Sequence, residues 1–386
     1  MNMGARVALW VAIGVAVVGA TLVSVGPSAE RARPELQRVL DTLVARTGAA
    51  PPGVTAYVSG PHGRWRGAAG VSDVATREAM APSARMRLES VSKAWVATLV
   101  LQLVGDGRLR LDDSIARWFP QFDRRITVRE LLNHTSGLID NNDIGEAPQA
   151  YIARVRDAAL RARLEQLLRR ARVQPGIDFP PQIWIDVAAA LPLRSAPGSA
   201  YHYSNIGYNL AAEIAQRVAR MPIATLVRER IAGPLGLRSV AYNPRNRIAG
   251  GHAHGYDVGG PRPVDATSRH GGVGAEGGIV ANAEDEGRFL LALMHGRLLR
   301  SSELEALKTP PAGAASTYAL GFDVVPLACD GIAYTHGGAG AGFKTSVVVA
   351  GDGSRVAVLL ANGNARGAPA YYNAVDLAAR ELFCAA

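Results

Sequence analysis

The sequence predicts an α/β fold of the α+β type, with one antiparallel sheet built from both chain ends, flanked by helices and interrupted by an inserted all-helical lobe. Three observations lead there. Strand patterns occupy residues 54–68 and return at residues 318–360. Helical patterns dominate the stretch between residues 87 and 235. The late strand patterns are joined by hairpin-length links, which suit antiparallel pairing. The sheet lobe therefore comprises residues 30–86 and 236–386, and the helical lobe residues 87–235.

At 386 residues the chain is long enough to bury a large core. An apolar content of 48% with 19% charged residues excludes a disordered chain. The net charge of +9 comes from arginines scattered along the sequence. No zinc-finger spacing, basic zipper or aromatic RNA-binding signature accompanies them, so nucleic acid is not an expected partner. Such a basic surface suits anionic lipid headgroups or an acidic cell wall.

Arg6 precedes an apolar run of 19 residues, Val7 to Val25, followed by Gly26-Pro27-Ser28-Ala29. That is long for a signal-peptide core and just long enough to span a bilayer. Residues 1–29 read as a signal peptide or an uncleaved membrane anchor, and Pro27 disfavours a cut after Ala29. The remainder, residues 30–386, is expected on the periplasmic or extracellular face. Cys329 and Cys384 are free to pair there or to stay separate thiols. No C-x-x-C exists, and neither metal nor cofactor is expected.

Element by element, Pro34 to Arg46 places Leu36, Val39, Leu40 and Leu43 on one side and reads as a helix. Val54–Val58 and Arg64–Ala68 read as strands joined by a Gly-Pro-His-Gly turn. Trp95, Val96, Leu99, Val100, Leu103 and Val104 surround their helix with apolar side chains, which marks a buried central helix stopped by Gly105 and Gly107. Thr127 opens a helix over 126–132, with Glu130 completing a capping box, and Asn133–Leu138 forms a loop. Tyr151 to Val173 reads as one amphipathic helix whose arginine face is solvated, and Pro175-Gly176 stops it. Asn209–Ala219 and Ile223–Ile231 continue the helical pattern.

Past Gly233 the chain turns to glycines, short apolar runs and turns. The glycines between 271 and 278 fit no phosphate-binding signature. Tyr318–Val325, Ile332–Thr335, Lys344–Val349 and Arg355–Leu360 are strand candidates, and a last helix runs from about Pro369 to Phe383.

Three distant segments carry the chemistry. Ser90 and Lys93 are three apart, within side-chain reach on one helical face. A lysine in the first turn of a helix is electrostatically disfavoured, and a capping box would place Glu or Gln at that offset. The chain holds only three lysines among its 42 Lys and Arg residues. A desolvated lysine can lose its proton and act as a base, whereas arginine cannot. Tyr203-Ser204-Asn205 follows a Pro197-Gly198 turn, and His336-Gly337-Gly338 ends a strand candidate before a glycine-rich loop. His134 reads as a structural anchor. His252 and His254 lack a third convergent metal ligand. The absence of a G-x-S-x-G elbow disfavours an α/β-hydrolase.

Together, in this order and spacing, the Ser-x-x-Lys, Tyr-x-Asn and His-x-Gly motifs resemble the serine β-lactamase and penicillin-binding-protein superfamily. The similarity is greatest to the branch of class C β-lactamases, D-Ala-D-Ala carboxypeptidases and related esterases. Further similar text is Ile126–Leu138, Leu191–Gly198 and Tyr318–Phe322, and the resemblance spans residues 34–383.

It implies the β-lactamase/transpeptidase-like fold, with Ser90 as nucleophile and Lys93 as its base. Tyr203 would share that role with a phenol pKa lowered by the lysine, and would protonate the leaving group. Asn205 would position the substrate amide and bond Lys93. His336 would read a substrate carboxylate or assist Tyr203. Gly337 and Gly338 would let a substrate backbone lie along the strand edge, and the N–H groups of Ser90 and Ala339 would form the oxyanion hole. His336 stands where many relatives carry lysine. The expected substrate is a small molecule or peptide: a cell-wall peptide, an ester or a β-lactam. The expected activity is carboxypeptidase-like or esterase-like, with a class C-like β-lactamase and an inactive envelope scaffold as rivals.

Overall fold

The computed structural model describes residues 33–173, 180–244, 248–269, 274–313, 316–329 and 331–386. The apolar run assigned to a leader or anchor, and the stop at Pro175-Gly176, lie outside the described residues. Among the described residues no helix is long and apolar enough to cross a membrane.

The main sheet has seven strands, labelled here β1 (Gly53–Gly60), β2 (Gly63–Asp73), β3 (Glu78–Ala79), β4 (Asp323–Leu327), β5 (Gly331–Gly340), β6 (Phe343–Ala350) and β7 (Val356–Ala361). Their order is β3-β2-β1-β7-β6-β5-β4, and the pairings are antiparallel. The two chain ends meet where β1 pairs with β7, from Val54 opposite Ala361 to Ser59 opposite Val356. The fold class read from the sequence is therefore the one observed.

Side-chain alternation divides the sheet into two faces, because successive strand residues point opposite ways. Val54, Ala56, Val58, Val348, Leu359 and Ala361 join one core with α1 (Pro34–Val44) and the C-terminal helix. Tyr57, Val347, Val349, Val358 and Leu360 join the other, which continues into the helical lobe. That second core is centred on α2 (Ser92–Gly105), buried on nearly all sides as its composition predicts. Beside it run α3 (Asn205–Ala219) and α4 (Ala283–Met294), and α5 (Pro369–Cys384) closes the opposite face. A disulfide joins Cys329 to Cys384 at the end of α5, which settles the pairing left open above.

Several expected boundaries move. The helix drawn from Tyr151 to Val173 is two pieces, Pro148–Ile152 and Ala158–Val173. Asp157 restarts it, its carboxylate accepting from Leu160 N–H at 2.8 Å and its carbonyl from Arg161 N–H at 3.0 Å. α3 begins at Asn205 instead of Asn209, because Ser204 Oγ caps it through Gly207 N–H at 3.1 Å. Tyr318–Phe322 is a turn before β4, since Gly321 adopts φ +94° where it crosses α2 beside Ala94. The capping box of Thr127 and Glu130 is present as expected.

α4 was not expected in the glycine-rich region. Asn282 caps it through Asp285 N–H at 2.8 Å, and Phe289 stacks on Trp95 of α2 at 3.9 Å. Trp95 Nε1 donates to buried Glu286 at 3.0 Å. Burial pushes the Glu286 carboxyl up to about 8. The folded protein thus holds a proton that the unfolded chain releases near the ordinary carboxyl value. Stability is full below that value and is lost as pH rises toward the folded one. Glu286→Gln keeps an acceptor for Trp95 and removes the titration. Its melting temperature should gain on the wild type steadily between about pH 4.5 and 8 and then level off. A difference that does not vary with pH contradicts a buried, raised Glu286.

Candidate active site

Ser90 lies on a single 3₁₀ turn, Glu89–Val91, that leads into α2 at Ser92. The expected helical spacing is therefore met at the junction, with Lys93 one residue inside α2. Glu89 takes the left-handed conformation at φ +52°, a strain on the order of 1 kcal/mol for a residue with a Cβ. The turn is pressed against the end of β5. A Cβ on Gly338 would sit 2.2 Å from the Leu88 carbonyl oxygen, and one on Gly340 would sit 2.1 Å from Glu89 Oε2. Gly338 is thus required for strand-to-turn packing, while Gly337 and Ala339 are exposed on the same strand.

Two of the three motifs meet at Ser90 Oγ, and the third packs against the turn through Gly338. Lys93 Nζ lies 3.1 Å from Ser90 Oγ and Tyr203 donates its hydroxyl to it at 2.9 Å. Lys93 is fully buried and also donates to Asn205 Oδ1 at 2.7 Å and to the Glu276 carbonyl at 3.2 Å. Asn205 is oriented by Asp140, whose two carboxylate oxygens accept from Asn205 N–H at 2.8 Å and Nδ2–H at 3.2 Å. That clamp leaves Oδ1 as the atom facing the lysine. Two of the lysine's three partners can only accept, whereas the third is a hydroxyl. An ammonium donates to all three, whereas a neutral amine keeps its two N–H bonds to Asn205 and the Glu276 carbonyl and turns its lone pair to Ser90. Burial lowers the lysine pKa, and Glu276, Asp140 and Glu89 act the other way.

Tyr203 departs from expectation. Burial raises its phenol well above the ordinary value, with Asp140 adding to the effect. Desolvation of a phenolate sets the direction, so the Tyr203 hydroxyl keeps its hydrogen at neutral pH, and among the described residues Lys93 Nζ is the amine within hydrogen-bond distance of Ser90 Oγ.

His336 departs as well. Its Nδ1 is 2.7 Å from the Gly337 carbonyl, which can only accept, so Nδ1 carries the hydrogen and Nε2 accepts from Tyr318 OH at 3.0 Å. Burial holds His336 down to about 3, with Lys93 and Lys344 reinforcing the shift. It is a neutral ring bonded to Tyr318 with no hydrogen bond to Tyr203. Lys344 does not replace it as a cation, because its Nζ pairs with Asp376 at 2.8 Å.

His134 acts as an anchor. Its Nδ1 accepts from Ser204 N–H at 3.1 Å, and its ring packs against Tyr203 at 4.3 Å and Tyr318 at 4.6 Å. His254 pairs with Asp265 at 2.8 Å. Sequence reasoning missed Asp140, Glu276 and Tyr318. Only Tyr318 lay in a segment already marked, as part of Tyr318–Phe322.

The fold and the clustering of Ser90, Lys93 and Tyr203 are those of β-lactamase-like proteins. The chain matches the Beta-lactamase family model over residues 36–380 and belongs to that family. It is 31% identical over 189 residues to esterase EstB of Burkholderia gladioli, which covers 46% of this chain and 43% of that protein. It is 29% identical over 199 residues to a D-aminopeptidase of Brucella ovis, covering 50% of this chain and 33% of that one. The chain therefore matches less than half the length of these two relatives. A D-stereospecific amidohydrolase from Streptomyces sp. superposes with a TM-score of 0.72 at 27% identity, over 89% of this chain and 98% of that chain. The penicillin-binding protein of Bacillus halodurans shares the fold, with a TM-score of 0.67 at 21% identity over 80% and 91% of the two chains.

Tyr203→Phe keeps the ring packed against His134 and removes only the hydroxyl. We expect kcat to fall by about 10²–10⁴ with the melting temperature nearly unchanged. Unimpaired turnover contradicts a donor role for Tyr203.

Proposed function

We propose that this protein is an exported hydrolase of uncharged esters or amides that works through an acyl-enzyme on Ser90. The observation that carries the reading is the environment of Lys93 Nζ: two fixed acceptors hold its hydrogens and Ser90 Oγ stands 3.1 Å away.

As Ser90 Oγ bonds the substrate carbonyl carbon, its proton passes to Lys93. The oxyanion so formed is received by the N–H groups of Ser90 and Ala339. Collapse breaks the bond to the leaving group, which takes a proton from Tyr203, and Lys93 restores that proton. Water then repeats the sequence on the acyl-enzyme and frees Ser90. Gly337 and Ala339, exposed beside the site, offer a strand edge along which a substrate amide can align with Asn205.

The preference for uncharged substrates is supported by the neutral His336 and by Lys344 facing Asp376. A carboxypeptidase or a class C-like β-lactamase handles a free carboxylate, for which this wall supplies no cation among the described residues. The esterase and amidohydrolase relatives support the same choice. Intact Ser90, Lys93 and Tyr203 oppose an inactive scaffold. Export is supported by the apolar run before residue 29 and by the Cys329–Cys384 disulfide, which persists in oxidising compartments.

The test compares p-nitrophenyl butyrate, N-acetyl-D-alanine p-nitroanilide, an acylated D-Ala-D-Ala peptide and nitrocefin, on wild type and Ser90→Ala. The ester or the anilide should be turned over fastest, and Ser90→Ala should lose about 10³-fold or more. Faster release of D-alanine or opening of nitrocefin would overturn the preference for uncharged substrates. Turnover surviving in Ser90→Ala would overturn the mechanism.

A further inference from the structure

The acyl-transfer steps assign no role to the loop at residues 133–138, which the sequence marks as a distinct stretch. In the structure this loop and the two residues after it cradle Tyr203-Ser204-Asn205. Asp140 accepts from Asn205 N–H at 2.8 Å, and the Ile139 carbonyl accepts from the Ser204 hydroxyl at 2.9 Å. His134 holds the backbone on both sides of Tyr203. Its carbonyl accepts from His202 N–H at 2.8 Å, and its Nδ1 accepts from Ser204 N–H at 3.1 Å. Between those two bonds its ring packs on the Tyr203 ring, with 4.3 Å between centroids and 37° between planes. The loop is tied in turn to the chain before Tyr203. Gly198 N–H donates to the Thr135 carbonyl at 2.8 Å, and Arg194 N–H to the Gly137 carbonyl at 2.7 Å.

The backbone does not favour histidine at this position. His134 follows the helix Val128–Leu132 and its cap Asn133, in the left-handed conformation at φ +60°. Glycine is the usual residue there. Because Nδ1 accepts, Nε2 carries the ring hydrogen, and Nε2 is enclosed without a hydrogen-bond partner among the described residues. Features of this kind persist where the surroundings over-determine them, and they cluster at functional sites. What the side chain supplies is a flat ring for Tyr203 together with an uncharged acceptor at the ring edge for Ser204 N–H. Phenylalanine offers only the first and asparagine only the second. Burial holds the imidazole well below its ordinary pKa, which keeps Nδ1 an acceptor. The buried rings of Tyr208 and Tyr318 brace His134 at 5.2 Å and 4.6 Å.

We propose that His134 is a positioning residue for catalysis, fixing the Tyr203 hydroxyl on Ser90 Oγ by gripping the backbone on either side and the ring between. The assignment rests on Tyr203 being the proton donor, as in the reading above. The hydroxyl sits at the far end of a rigid ring, so a small tilt of that ring displaces it from Ser90 Oγ, 2.9 Å away. Displacement by about 1 Å costs on the order of 10²-fold in rate. His134 acts through Tyr203 and touches no reacting atom.

The test is a double-mutant cycle on the full chain, with the ester or the anilide as substrate, whichever is turned over faster. Rates are counted per active site, titrated with a slowly deacylating ester. His134→Phe should lower kcat by about 10- to 100-fold while KM changes far less. In the Tyr203→Phe background the same substitution should change kcat by less than about twofold, because the group it positions is gone. A merely structural role lowers kcat equally in both backgrounds, and equal losses overturn the assignment. His134→Asn covers the case of a His134→Phe that does not fold, since asparagine tolerates the left-handed backbone and lacks only the ring. It should show the same dependence on Tyr203, and a wild-type kcat in either variant overturns the proposal. A Tyr203→Phe enzyme that turns over at the wild-type rate strikes the reading of Tyr203 instead, so the two failures are told apart.

Discussion

One buried amine organises this molecule. Lys93 is shut away from water in the core between the sheet and the helical lobe, where an ammonium costs several kcal/mol unless it is well partnered. The fold surrounds it with acceptors drawn from distant parts of the chain. Asn205 comes from the start of α3, the Glu276 carbonyl from the segment before α4, and Ser90 from its own turn. Each of these is itself held, Asn205 by Asp140 and the 276 segment by Asn209 and Ser92. The arrangement is a preorganised one, since Lys93 and Tyr203 already lie within hydrogen-bond reach of Ser90 Oγ.

The sheet serves this arrangement by pressing the β5 edge against the nucleophile turn. Contact is so close that Gly338 has no room for a side chain, and the Glu89 carboxyl would have to move to admit one at Gly340. The same closeness buries His336 and deprives it of charge, which makes the wall beside Ser90 neutral. The neutral wall and the strand packing are thus consequences of one constraint. A larger residue at 338 would separate the strand from the turn and disturb the Ser90 and Ala339 N–H groups together.

Much of this was legible in the sequence. The strand patterns at both ends and the all-round apolar stretch after Lys93 are local signals, and they led to the right sheet and the right central helix. The rarity of lysine made Lys93 conspicuous. α4 was missed although Asn282 and the acidic first turn through Glu286 form a proper helix start, because the preceding glycines dominated the reading. Asp140 and Glu276 were missed for another reason. Their importance lies in contacts across 65 and 183 residues, which no local pattern encodes. The state of Tyr203 also escaped. Spacing announces a neighbouring lysine, whereas the depth of burial that overrides it appears only in the folded chain.

The most direct test of the account is the site of covalent attachment. Wild type and Ser90→Ala would be quenched in acid after brief mixing with a slowly deacylating ester, weighed intact and then mapped as peptides. The account predicts one acyl group, carried by the peptide containing Ser90 and absent from the variant. An acyl group on any other residue, or one of equal yield in Ser90→Ala, would contradict it.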